Sequence, residues 1–264
     1  MKARNASPLL EGHELVKTFG GMAAIEDLDF EVRAGSIQAL IGPNGAGKTT
    51  LFNVITGVYG PSGGIVRFKG KPITGLRPHQ IAELGISRTF QTVELFQRMT
   101  ALENIMVGRH RRTRSGFLAS GFRLPMFRRE ERETRARAQE ILEFIGLERY
   151  AGELAGNLPL GAQKLLEMGR CLATDPELIL LDEPAAGLND TETARTASLI
   201  RQIRDNGTTV MIVEHDMKLI MGVSDAIIVL NYGQKIAEGT PDEVRNDPKV
   251  IEAYLGGDIE YADA

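Results

Sequence analysis

The chain has 264 residues, a formal net charge of −4, 42% hydrophobic and 25% charged residues, a globular balance that excludes intrinsic disorder. No apolar run approaches the ~20 residues that span a bilayer, and the length suits one domain carrying an added lobe. The single cysteine, Cys171, excludes an internal disulfide and a multi-cysteine metal cluster, which suits a reducing compartment, and the first residues carry no apolar secretory core.

Short β-branched runs alternate with glycine or proline breaks and amphipathic stretches, the pattern of an α/β protein with a largely parallel sheet. In chain order, Glu14 to Thr18 and the alternating Leu28 to Val32 predict half-buried antiparallel strands, joined later by Ile65 to Phe68. Ser36 to Ile41 is a denser apolar run, as are Glu177 to Asp182, Thr208 to Val213 and Ala226 to Asn231. These read as central strands covered on both faces. Gly57 and Gly207 are expected to stop helices.

Between about Val93 and Leu172 no strand pattern emerges, so a helical lobe is expected there, inserted between sheet strands. Thr100-Ala101-Leu102-Glu103 is a capping box, with Gly108 as the expected helix stop. From Arg109 to Arg137, ten arginines and three glutamates give +7, leaving −11 elsewhere. That window reads either as a solvated helical face or as a surface for anionic headgroups or an acidic partner. Phe117, Phe122 and Phe127 interleave the arginines, but the acidic remainder argues against nucleic acid. Thr240-Pro241-Asp242-Glu243 is a second capping box, with proline at the first helical position.

Glycine is in surplus, 29 residues or about 11% against a usual ~7%. Part of the surplus falls in Gly42-Pro43-Asn44-Gly45-Ala46-Gly47-Lys48-Thr49, which fits G-x-x-x-x-G-K-[ST] between the strand Ile37 to Ile41 and a helix-like Thr50 to Thr56. Backbone amides can surround phosphate oxygens only where side chains are absent, and a helix N-terminus adds partial positive charge. Lys48 would reach the β- and γ-phosphates and the Thr49 hydroxyl would ligate Mg²⁺; Thr50 completes the candidate set. About 130 residues on, Leu178 to Leu181 ends in two carboxylates. Asp182 could hold the Mg²⁺ hydration shell and Glu183 could polarise an attacking water. The run Thr208 to Val213 then delivers Glu214-His215, where the histidine could meet the γ-phosphate and the water-orienting groups.

Together these strings resemble the ATP-binding cassette (ABC) transport ATPases over nearly the whole chain. The resemblance implies a P-loop NTPase fold: a RecA-like, mostly parallel core with an antiparallel β subdomain (1–92 and 173–239), an inserted α-helical subdomain (93–172) and a helical tail (240–264). It implies ATP and Mg²⁺ as ligands, Phe19 as the aromatic that stacks on adenine, Gln91 as the residue that touches Mg²⁺ and water, Ala186 to Asn189 as the dimer-crossing loop, and His215 as the switch histidine. More narrowly, Arg88-Thr89-Phe90-Gln91, the inserted Ser115 to Arg129, Asp182 to Asn189, Glu214-His215-Asp216-Met217-Lys218 and the ending Ala253 to Gly256 resemble the first ATPase subunit of branched-chain amino acid importers. That implies a second ATPase subunit, membrane permease subunits, an external solute-binding protein acting indirectly, no nucleic acid, and a peripheral place on the cytoplasmic face of the membrane.

One departure stands out. Where the family has Leu-Ser-Gly-Gly-Gln, which completes the ATP site of the opposite subunit, this chain reads Leu158-Pro159-Leu160-Gly161-Ala162. Leu158 and Gly161 match, and proline brings neither hydroxyl nor amide donor. Two readings stay open: the loss is tolerated, as proline occurs here in the importer subfamily, or the pair is asymmetric, with this chain's own face intact and the loop it lends its partner weakened. The alternatives are a lipopolysaccharide-type export ATPase, against which Arg88 to Gln91 argues; a repair or translation ABC protein, which would carry two cassettes or a long coiled coil; and a P-loop kinase, which would not explain Glu183, Gln91 and His215 together.

Overall fold

Burial on one face or on two sorts the strands into separate sheets. The computed structural model describes residues 7–109 and 125–255; segment 110–124, with Phe117, Phe122 and most of the arginines before Arg128, and Gly256 onward lie outside the described residues. The hairpin β1 (Leu10–Phe19) and β2 (Met22–Val32) leads to β3 (Ile37–Ile41), α1 (Lys48–Ile55), β4 (Gly63–Phe68), the short β5 (Lys71–Pro72), α2 (Pro78–Glu83) and β6 (Ile86–Arg88). Among the described residues, three α-helices follow, α3 (Ala101–Arg109), α4 (Pro125–Phe144) and α5 (Leu160–Leu172). Then come β7 (Leu178–Asp182), α6 (Asp190–Asp205), β8 (Thr209–Val213), α7 (Met217–Val223), β9 (Ala226–Asn231), β10 (Gln234–Gly239), α8 (Pro241–Arg245) and α9 (Pro248–Leu255).

The first four-stranded sheet, in order β2-β1-β4-β5, is antiparallel throughout, as the alternating sequence requires. The second has the order β10-β9-β3-β8-β7-β6 and is parallel except at its β10 edge. Its dense apolar strands serve two cores at once. Leu40, Leu180, Met211, Val213 and Ile228 face the antiparallel sheet, α1 and α2, while Ala39, Ile41, Ile179, Leu181, Ile212 and Val229 face α3 to α7.

The expected central strands form within a residue of their expected bounds. The strand β6 was not expected, because three residues carry no periodicity, and neither was β10, whose exposed edge carries no apolar signal. Both capping boxes form: the Thr100 amide donates to Glu103 Oε2 at 2.8 Å, and the Thr240 amide to Glu243 Oε2 at 2.7 Å. Gly57 and Gly207 follow their helices at φ 72° and 93°. Gly108, by contrast, lies inside α3, where a Cβ would strike the Arg170 carbonyl. It permits close packing of α3 on α5, one residue before Arg109, the last described residue of the helix.

Candidate active site

Parallel pairing brings the ends of β3, β7 and β8 to one edge, where loops following such strands form clefts. The loop after β3 presses against the neighbouring backbone. A Cβ at Gly42 would overlap the Leu230 carbonyl, and one at Gly47, where φ is 103°, would come within 2.5 Å of the Ala24 carbonyl. The Ala46 amide donates to the Pro43 carbonyl at 3.2 Å and closes the turn, leaving Asn44, Gly45 and the Thr49 side chain facing solvent, with Thr50 half-buried behind them. Lys48, at the start of α1, is buried, and its Nζ donates to the carbonyls of Gly42 (2.6 Å) and Pro43 (2.9 Å). Burial lowers its pKa, opposed by the charges of Glu183 and Asp182.

Asp182 closes β7, and its Oδ2 accepts from Arg88 Nη2 at 2.7 Å. The Arg88 side chain comes from β6, lies over the rings of Phe52 and Phe90, and donates from Nη1 to Asn53 Oδ1 at 2.7 Å. It thus ties the phosphate-loop helix to the Asp182 carboxylate. Glu183, one residue on, takes φ 49°, a left-handed conformation that costs a non-glycine residue roughly 1–3 kcal/mol and recurs where function imposes strain. That backbone is fixed at both ends, since its amide donates to the Val213 carbonyl (2.9 Å) and its carbonyl accepts from Lys164 Nζ (2.8 Å). Gln91 Nε2 donates to Glu183 Oε2 at 3.1 Å, and His215 Nε2 stands 2.8 Å from Oε1. Three segments far apart in sequence therefore converge on one carboxylate.

Phe19 ends β1 exposed, its ring edge-on to Tyr59 at 5.3 Å with Lys17 Nζ 4.8 Å from its centre. At the loop before α5, Leu158 is buried in the core and its carbonyl accepts from Gln163 Nε2, so its side chain anchors the loop and meets no ligand. The helix starts at Leu160 with Pro159 as its N-cap; the Pro159 carbonyl accepts the Gln163 amide at 3.0 Å, but where a serine hydroxyl would bond the first turn the proline ring offers nothing. Leu160 is exposed, and Gly161 lies against the Glu192 carboxylate. The oxygens that could meet a metal are Thr49 Oγ1, the second oxygen of Asp182 and Gln91 Oε1. This hard, sparse set fits Mg²⁺, which keeps water and phosphate oxygens around it.

Four residues that hold this site together have no role legible in the sequence. Arg88 stands there only within the string Arg88 to Gln91. Glu214, 4% exposed, accepts the Ala185 amide (2.6 Å) and the His215 amide (3.0 Å), joining the two carboxylate-bearing loops. Lys164 and Glu167 lie buried on α5. In sequence, Gln163, Lys164, Glu167 and Arg170 fall on one stripe of α5 at helical spacing, so the buried pair reads as part of a solvent face.

A glycine-loop cradle opening a helix, with a lysine and strand-end carboxylates at the edge of a mostly parallel sheet, defines a P-loop nucleotide hydrolase. The ABC transporter family model matches residues 25–186, and the chain belongs to that family; it is an ATP-binding, ATP-hydrolysing cassette. A second model, branched-chain amino acid ATP-binding cassette transporter, matches residues 234–260. The chain is 48% identical to the high-affinity branched-chain amino acid transport ATP-binding protein BraF of Pseudomonas aeruginosa, over 94% of this chain and 98% of the relative. It is 46% identical to LivG of Escherichia coli, a protein of the same description, over 95% and 99%. Among solved structures, the ADP conformation of the cassette MJ1267 is similar at TM-score 0.84 and 36% identity, covering 96% of this chain and all of that one.

Proposed function

We propose that this chain is the ATP-hydrolysing subunit of an importer for branched-chain amino acids, working with a second ATPase subunit, identical or different, and with membrane permease subunits. The relatives of nearly equal length and the match at 234–260 support the importer reading over the export and repair alternatives. The observation that carries hydrolysis is the convergence of Gln91 and His215 on Glu183.

In this reading Phe19 stacks on adenine, the amides of Gly42 to Thr50 and Lys48 hold the phosphates, and Thr49, Asp182 and Gln91 hold Mg²⁺. The metal, when bound, neutralises charge developing on the transferred phosphoryl oxygens. Glu183 takes the proton of the attacking water while Gln91 and His215 fix its two oxygens, so that one lone pair is aimed at the water. The exposed start of α5 at Leu160 faces the partner's nucleotide, while Gly161, packed against Glu192, supports that turn; with Pro159 as N-cap and a second subunit that differs, that lent loop is the weaker half of an asymmetric pair. The division into core (1–92, 173–239), helical subdomain (93–172) and tail (240–264) follows the same reading. An apolar groove lined by Val58, Ile81, Phe90, Phe96 and Val107 lies beside Gln91 and suits a permease helix. No helix among the described residues is long and apolar enough to cross a membrane, which is compatible with a peripheral place on the cytoplasmic face.

Reconstitution with copurifying partners tests the reading. ATPase activity should rise with solute-binding protein loaded with leucine, isoleucine or valine. Stimulation by urea or aromatic acids alone would overturn the substrate assignment. For the asymmetry, Glu183→Gln here should cost more turnover than the equivalent change in the partner; equal losses would sink it.

A further inference from the structure

The helix α5 carries Lys164, Glu167 and Cys171 at i, i+3 and i+7, which places them on one face. Lys164 bonds the backbone at Glu183, while Glu167 and Cys171 both bond the backbone of segment 88–94 of the chain's own site. Lys164 Nζ donates to the Glu183 carbonyl (2.8 Å), Glu167 Oε1 accepts the amides of Phe90 (3.3 Å) and Glu94 (3.4 Å), and Cys171 Sγ donates to the Arg88 carbonyl (3.2 Å). The two amides held by Glu167 bracket Gln91. A carboxylate 3% exposed is expensive to bury without donors, and its pKa is raised by that burial, so its buried place on α5 calls for a function.

We propose that Glu167 is a positioning residue for hydrolysis: it clamps the Phe90 to Glu94 turn from behind and so sets Gln91 against Glu183, while Lys164, one turn earlier on the same face, holds the left-handed backbone of Glu183. This rests on Gln91 and Glu183 acting in hydrolysis. Because α5 begins at the loop offered to the partner's nucleotide, both clamps ride on the element that a partner would engage. Phe19, Lys48 and the loop amides hold the nucleotide without Gln91, so the clamp should act on turnover and leave ATP affinity, measured without Mg²⁺, unchanged.

The test uses the full chain, alone for amide exchange and assembled with its partners for turnover. In Glu167→Met, exchange at the Phe90 and Glu94 amides should accelerate and kcat should fall, by up to roughly 100-fold, with ATP affinity, measured without Mg²⁺, unchanged. Glu167→Gln keeps an acceptor oxygen and should restore most of both. On a Gln91→Ala background, Glu167→Met should add no further loss, because it acts through Gln91. Unchanged exchange in Glu167→Met, or a fully additive loss on the Gln91→Ala background, would overturn the proposal. Wild-type turnover in Gln91→Ala itself would instead contradict the hydrolytic reading of Gln91, and the exchange measurement tells the two failures apart.

Discussion

Replacing Arg88 with methionine should expose how much of the site depends on one buried ion pair. The Arg88 and Asp182 side chains are 7% and 3% exposed and 2.7 Å apart, so solvent does little to screen them. Methionine fills most of the space between the Phe52 and Phe90 rings, which keeps packing loss small. What remains is an uncompensated Asp182 and an Asn53 oxygen without its donor. Removing one partner of such a pair costs about 3–5 kcal/mol. At ~2–4 °C per kcal/mol for a chain of this size, the melting midpoint of the purified, nucleotide-free protein should drop by roughly 6–20 °C. The double variant Arg88→Met/Asp182→Asn removes the orphaned charge and should recover most of the loss. A single-variant loss below about 1 kcal/mol, or a double variant no more stable than the single, would refute the reasoning.

Two further outcomes follow from the same geometry. Gly47→Ala puts a methyl group against the Ala24 carbonyl at a φ of 103° and should cost more than ~1 kcal/mol while weakening nucleotide binding; thermal melts and a nucleotide titration that both match wild type would contradict this. Burial pushes the Cys171 thiol up to about 12, with the Glu167 charge adding to the shift. Since the thiolate is the reactive form, the folded protein should resist iodoacetamide at pH 8 and take one equivalent in denaturant. Labelling of the native chain at the denatured rate would mean that α5 opens.

Legibility from sequence followed the kind of burial each segment has. The central strands could be read because burial on both faces forces uninterrupted apolar runs, and the phosphate loop because contact with phosphate and neighbouring backbone forbids side chains at fixed spacing. Gln91 and Phe19 became legible through family resemblance alone, since an exposed glutamine or a strand-end aromatic has no local signature. Arg88, Glu214 and Glu167 stayed hidden because their meaning lies in long-range bonds, such as the 94 positions separating Arg88 from Asp182. The loop before α5 divided: its proline could be read as a missing hydroxyl, but the burial of Leu158 in the core could not be seen without the fold.

The central claim is that Glu183 drives ATP hydrolysis in this chain. Glu183→Gln, assembled with its partners, should bind ATP as tightly as wild type while turnover falls by about 100-fold or more. Turnover at the wild-type rate with ATP still bound would contradict the account.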